Sequence, residues 1–349
     1  MRIPKIPTCP FCGKPIAKPT FLAIGFSDLE AGICECGSVY VCDVTGHNRG
    51  AAFVEALLIA CAGDWELAWD LIPDEDYKEI WIENYDLKTH TILPESSYGK
   101  RLFRSALCFI KLSDDLRETR EPKIKKLLQK EEPDLPKVEK RKLSKKELEE
   151  LINQNNLNLL FSYILAEPLN LNVLQKFLYH PDPVFRKKVS VIIGLVSEKL
   201  VKIRPEKVLE LLKRLIYSAA DSASSAWGAL EAAGEIIRNT KDRYSFFIKN
   251  LLAFIEFPEY RPYVLYALYR ISEKSPHLLK QHSYLKLLNY LEGASSEIQG
   301  LILLIFYNLK SPEIKSYFDK IDPEKSFKLF NYKTYNFETV FLKDLLKKF

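Results

Sequence analysis

The feature that most constrains this chain is a recurring apolar segment in its C-terminal two thirds. Lys188–Val196 (Lys-Val-Ser-Val-Ile-Ile-Gly-Leu-Val) can be laid over Gly228–Ile236, Tyr263–Ile271 and Leu301–Leu309. The corresponding positions Gly194, Gly234, Tyr269 and Tyr307 are 40, 35 and 38 residues apart. Between successive copies runs a second apolar stretch: Val208–Tyr217, Phe246–Ile255 and Tyr284–Leu291. Proline punctuates the pattern at Pro168, Pro181, Pro205, Pro258, Pro276 and Pro312, where helices stop or start. A pair of helices this short cannot cover its own apolar face, so neighbouring pairs must stack and share one core. The expected fold is therefore mainly α, a solenoid of helix pairs over 143–349, with bundle packing without a repeat as the alternative.

The N-terminus obeys a different rule. Of seven cysteines, Cys9, Cys12, Cys34, Cys36 and Cys42 fall in the first 42 residues. Thr8-Cys9-Pro10-Phe11-Cys12-Gly13 and Gly32-Ile33-Cys34-Glu35-Cys36-Gly37 each have the form of a metal knuckle, in which glycine admits the positive φ that turns backbone amides toward sulfur. Phe21–Phe26 and Ser38–Val44 have strand-like composition around them. This predicts a small zinc ribbon with Cys9, Cys12, Cys34 and Cys36 as the ligands of a structural Zn2+, four thiolates closing the coordination sphere. Cys42 or His47 is the alternative ligand, since the second pair is Cys-x-Cys. A segment so small lacks the burial to hold itself, so the metal is expected to supply much of its folding free energy. Cys61 and Cys108 sit among apolar residues and read as inert core.

Two stretches read as candidate binding sites. Asp43, Thr45, His47, Asn48 and Arg49 crowd between apolar segments just before the apolar run Ala51–Cys61. A polar, glycine-bearing loop at a helix N-terminus suits an anion, and His47 with Asp43 could form a base and its orienter. The plainer reading has Asn48 capping the helix and Gly46 making the turn. In the repeats, Trp227 stands among small residues, and Glu231, Arg261 and Arg270 are expected to line the same concave interaction surface. Between the two parts, 113–142 is dense in charges of both signs and interrupted by Pro122, Pro133 and Pro136, which predicts an exposed linker with a short helix near Lys123. The domains are accordingly 1–112, 113–142 and 143–349.

Cys9–Pro15, Cys34–Tyr40, Thr45–Ala52, Gly63–Leu71 and Ala226–Ile236 together resemble an uncharacterised bacterial family of anaerobes, whose members look like cysteine-rich heads fused to HEAT repeats. The repeats themselves resemble the phycobilisome-lyase type of HEAT-like repeat, which Ala229-Leu230-Glu231-Ala232-Ala233-Gly234 matches best. That resemblance implies a HEAT-like α-solenoid with a zinc-ribbon module, and no particular activity. Tyr269 and Tyr307 replace the small residue of the pattern, so bilin chemistry is not carried over.

Composition narrows function by exclusion. With 51 basic and 46 acidic residues the net charge is only +5, too little to predict nucleic-acid binding without a local groove. Met1–Pro7 lacks a signal-peptide core, and Ala51–Ala62 is too short to span a bilayer, so a cytoplasmic protein without membrane contact is expected. The leading expectation is a scaffolding protein that binds a partner protein through its solenoid. A cofactor-handling, lyase-like enzyme using the 43–49 loop is the second, and nucleic-acid binding the third.

Overall fold

The computed structural model of the chain describes residues 4–349 apart from 23, 25, 26, 28, 95, 96, 99, 100, 103, 129–134 and 221–227. It is mainly helical, with strands a minor part. Two units are distinguished, residues 1–132 with 202–206, and residues 133–201 with 207–349. Among the described residues no helix is long and apolar enough to cross a membrane.

The first unit is built on alternation. Strands β1 (Ala31–Ile33), β2 (Val39–Asp43) and β3 (Tyr77–Glu83) are followed by the two-residue pairs β4 (Tyr85–Asp86) with β5 (Thr91–Ile92) and β6 (Ser97–Tyr98) with β7 (Arg101–Leu102), then by β8 (Ala106–Leu112). The antiparallel sheet runs β1-β2-β8-β3, with Val39 opposite Ile110, Tyr40 opposite Phe109 and Val41 opposite Cys108. Because successive side chains point to opposite faces, Val39, Val41, Cys108 and Ile110 join one apolar cluster and Tyr40, Cys42, Leu107 and Phe109 another. The first cluster takes in helix α1 (Arg49–Ala60) through Ala52, Ala56, Leu57 and Ile59; the second takes in Cys9, Ile16, Cys34 and Tyr85. Both central strands are therefore covered on both faces, which is why β2 is apolar from Val39 to Cys42.

Helix α2 (Trp65–Asp70) starts at Asp64, whose carboxylate accepts from the Leu67 amide at 3.1 Å. Where an exposed linker is expected, the chain forms α3 (Asp114–Leu128), running through Pro122. Leu116, Ile124 and Leu128 lie on one side of it and pack onto the α1 cluster, and Arg120 pairs with Asp64 at 3.0 Å. High charge density hid a narrow apolar stripe. Conversely, Phe21 and Leu22, expected in a strand, are outside any; Thr20 makes an isolated bridge to Ala31 instead.

The second unit opens with α4 (Lys145–Asn153), α5 (Leu157–Ala166) and α6 (Asn170–Lys176). Helix α4 begins with a capping box in which Ser144 and Glu147 satisfy each other's amides. The repeated segments become α7 (Pro183–Leu200), α9 (Ala229–Thr240), α11 (Arg261–Lys274) and α13 (Ser296–Leu309), with α8 (Pro205–Ala220), α10 (Ile248–Ala253) and α12 (Pro276–Lys280) between them. Helix α7 packs on α9, α9 on α11 and α11 on α13. Glycine permits the first two approaches. A Cβ on Gly194 would meet Glu235 and Asn239 of α9, and one on Gly234 would stand 2.5 Å from the Ala267 Cβ of α11. Gly234→Leu is therefore expected to wedge these helices apart and cost about 1–3 kcal/mol, whereas Gly50→Ala, with nothing within 4 Å, should be near neutral. Urea unfolding followed by helical circular dichroism separates the two; equal effects would refute the packing argument.

The intervening helices are less regular than the period predicts. The segment at Phe246–Ile255 is α10 flanked by 3-10 turns at Lys241–Phe247 and Phe254–Glu256, and the one at Tyr284–Leu291 is 3-10 over Tyr284–Tyr290. In elements this short most backbone groups are terminal, where i to i+3 bonding prevails.

The chain ends in a hairpin where helix is expected. Strands β9 (Ser326–Asn331) and β10 (Asn336–Phe341) pair with Phe330 opposite Phe337 and Phe327 opposite Val340. The Asn331 side-chain oxygen accepts from the Lys333 and Thr334 amides at 2.9 and 3.2 Å, closing the turn. Phe327 fills the space left by Gly300 of α13, and the final helix α14 (Leu342–Leu346) returns Leu342 and Leu345 to the core.

Candidate metal centre and binding surface

Each cysteine pair is shaped by its own turn before the two meet. In the first, the Cys9 amide donates to Lys14 O and the Gly13 amide to Cys9 O, both at 2.8 Å, with Gly13 at φ +74°. In the second, the Cys34 amide donates to Ser38 O at 2.8 Å and the Gly37 amide to Cys34 O at 2.9 Å, with Gly37 at φ +84°. A side chain at either glycine would be strained. The turns bring Cys9, Cys12, Cys34 and Cys36 together with all four sulfurs within 4.8 Å of one another. Cys9 and Cys36 are 3.7 Å apart, and Cys12 and Cys34 are 3.6 Å apart. A tetrahedral ion with metal–sulfur bonds of about 2.3 Å needs sulfur–sulfur edges of about 3.8 Å, so the cluster is spaced to hold a metal ion. Neither Cys42, enclosed in β2, nor the exposed His47 belongs to that set.

The surroundings brace this arrangement. Lys14 and Glu35, one from each turn, form an exposed ion pair at 2.7 Å, and Arg117 of α3 donates to Cys36 O at 3.3 Å. The fully buried Ser38 hydroxyl lies 3.2 Å from Cys9 Sγ and 3.4 Å from Cys36 Sγ. In the metal-free state burial pushes the Cys34 thiol up to about 12. Burial works the same way on Cys36, but hydrogen bonds from the Ser38 hydroxyl and amide and from the Cys12 and Cys34 thiols together bring that thiol down to about 6. In the apolar cluster that holds Cys9 and Cys34, Tyr40 Oη donates to Ala17 O at 2.8 Å, and His90 contacts Ile16 O at 3.0 Å and the Tyr85 hydroxyl at 2.8 Å.

The polar loop before α1 is organised around Asp43. This buried carboxylate accepts from the Thr45 amide and hydroxyl at 3.0 and 3.1 Å, the Gly46 amide at 2.9 Å and the Asn48 amide at 3.0 Å. The Asn48 side chain makes no cap to the helix; the anchoring is done from Asp43, at the end of β2. His47 is exposed with Nε2 3.4 Å from an Arg104 nitrogen, so Asp43 spends its oxygens on the turn and not on the imidazole. Arg49 pairs with Glu83 at 2.6 Å and stacks over Trp81. Asp43, Thr45 and Asn48 are brought together; His47 and Arg49 diverge from them.

Of the expected surface on the repeats, Trp227 lies outside the described residues. Arg261 stacks over Tyr290 and donates to Ile255 O. Glu231 and Arg270 are buried, not exposed: they are 6% and 7% accessible, under the C-terminal hairpin. Tyr332 lies over the Arg270 guanidinium at 3.8 Å, and Tyr335 over Lys188 at 5.3 Å. Burial pushes the Tyr332 phenol well above its ordinary range. Beneath them Lys187 of α7 pairs with Glu231 of α9 at 2.7 Å, while Glu235, one turn further on, pairs with Arg270 of α11 at 2.5 Å. Lys187, Glu235 and Tyr332 went unmarked in the sequence, although Lys187 and Glu235 are charges set among apolar repeat residues.

Fold and site thus define a mainly helical protein carrying a tetra-cysteine cluster able to hold a metal ion. No protein-family model, curated protein or solved structure matches the chain.

Proposed function

We propose that this chain is a binding or scaffolding protein, in which a HEAT-like array engages a partner protein and a ribbon closed by one structural zinc forms the N-terminal module. The observation that carries the reading is the succession α7 on α9 on α11 on α13, drawn from segments that recur every 35 to 40 residues. Arrays of this kind expose one layer of helices along their length, which suits an extended partner. Large apolar side chains are exposed at successive repeats: Tyr179 after α6, Tyr217 on α8 (73% accessible), Phe257 after α10 (52%) and Leu285 after α12. The Glu231–Arg270 region is already covered by the hairpin, so the proposed contact surface is this outer set.

The donor set supports zinc. Four thiolates at tetrahedral spacing favour zinc or an iron site, and the two turns leave no ligand position for a substrate. Native mass spectrometry of protein purified without chelators, with metals quantified, is expected to give one zinc per chain. For the partner, affinity capture from the source cells is expected to retain one protein stoichiometrically, and Tyr217→Ser with Phe257→Ser to lose it while the helical signal persists. Capture that enriches no partner, or retention unaffected by the double variant, would count against the reading.

A further inference from the structure

Resting on the metal reading above, we propose that the Ser38 hydroxyl is the positioning donor of the metal centre: its single O–H lies between the Cys9 and Cys36 thiolates, is donated to one or shared by both, and thereby sets how tightly the four sulfurs hold their ion. The argument starts from satisfaction. A hydroxyl that is 0% accessible has to find hydrogen-bond partners inside the protein. The recorded partners of Ser38 Oγ are two sulfurs, Cys9 Sγ at 3.2 Å and Cys36 Sγ at 3.4 Å. A neutral thiol is a weak acceptor. A metal-bound thiolate, carrying its share of a doubly negative complex, is a strong one, so the contact becomes favourable when the ion is present.

The side chain has little freedom to do anything else. The Ser38 carbonyl is tied to the Cys34 amide at 2.8 Å, and Val39, the next residue, begins β2 opposite Ile110. The backbone is thus fixed by the same turn that presents Cys34 and Cys36. Beside the sulfur–sulfur contacts, main-chain amides also approach the cluster: Lys14 to Cys12, Cys36 to Cys34 and Ser38 to Cys36. These persist whatever the side chains are. The Ser38 hydroxyl is the one that a substitution can remove, and it joins a cysteine of the first turn to one of the second. Groups that hydrogen-bond ligating atoms commonly change metal affinity by 10–100-fold when lost.

The test uses the full chain and Co2+ as the probe, with Zn2+ in parallel. Ser38→Ala is expected to weaken retention of either ion against a competing chelator about tenfold, and to move the thiolate-to-cobalt charge-transfer absorption to lower energy, because unbonded thiolates are richer in electron density. Ser38→Thr and Ser38→Val, equal in volume, separate the hydroxyl from packing: Thr should keep both properties near wild type and Val should lose them. The proposal is overturned if Ser38→Ala stays within twofold of wild type with an unshifted band, or if Thr and Val behave alike. A wild-type chain that binds neither ion would remove the metal reading itself, whereas tight wild-type binding with no effect of Ser38→Ala removes only the role of Ser38.

Discussion

Stripping the metal with a chelator, or replacing Cys34 by Ser, is expected to release residues 4–18 from the fold while the helical unit keeps its circular dichroism. Little else holds that segment. Its regular structure ahead of β1 consists of single bridges, Lys5 to Ile92, Thr8 to Pro15 and Thr20 to Ala31. Its buried apolar anchors are few, chiefly Ile16 and Cys9, whereas Ile24 and Ala31 further on belong to the α1 cluster. The ion would tie the turn at Cys9–Cys12 to the turn at Cys34–Cys36, and structural zinc contributes about 10–16 kcal/mol in comparable small sites. Removing it leaves Cys34 as a buried thiol and Cys12 exposed, with the solvent-screened surface pair Lys14–Glu35 and the Ser38–Cys9 contact across the gap. Limited chymotrypsin digestion reads the result directly. The bond after Phe11, between the first two cysteines, should resist cleavage in the loaded protein and be cut in the stripped or Cys34→Ser protein, while β2, β8 and α1, buried on one another, stay protected. Equal cleavage before and after chelation would sink the claim that the metal organises this segment.

How much of this was legible in the sequence depends on whether the signal was local. Cys9, Cys12, Cys34 and Cys36 were readable because ligand chemistry fixes residue type and spacing within a few positions. The long helices α7, α9, α11 and α13 were readable because their apolar period is sustained over three turns or more. The C-terminal hairpin was not, since its strands are stabilised by Gly300 and Tyr266 far back in the chain. Of helix α3 only the short piece near Lys123 was readable, and charges on its open side masked the rest. The 43–49 loop shows the opposite failure. Asp, Thr, His and Asn in sequence suggest chemistry, yet one buried carboxylate satisfying three amides and a hydroxyl accounts for Asp43, Thr45 and Asn48 as the makers of a turn. Whether a polar residue faces a ligand or its own backbone is decided by tertiary placement, which composition does not encode. Glu231 and Arg270 illustrate the same limit, because what covers them is the last hairpin of the chain.

Those buried charges carry the second large expectation. Arg270→Met should destabilise the helical unit by about 3–5 kcal/mol, more than most single changes in its apolar core. The reason is the partner left behind: Glu235 is 2% accessible and would keep its charge with Arg238 as the nearest cation, at 3.8 Å. Arg270 also bridges to Glu273 at 2.5 Å and lies under the Tyr332 ring, contacts that vanish with it. Glu273 is partly solvated and can recover; Glu235 cannot. The double variant Arg270→Met with Glu235→Leu should therefore regain much of the loss, since an apolar pair of similar volume replaces an ion pair at little net cost. A double-mutant cycle by urea unfolding measures the coupling directly, and an Arg270→Met cost below about 1 kcal/mol would show that the pair is not isolated from water as its burial implies. The arrangement also gives these charges a structural use. Glu231 and Glu235 are one turn apart on α9, the first reaching back to Lys187 on α7 and the second forward to Arg270 on α11. Apolar faces tolerate sliding by a turn; two oppositely directed ion pairs on the same helix do not. If they fix the register, the double variant will regain stability yet lose order between α9 and α11, seen as faster amide exchange in both helices at equal global stability.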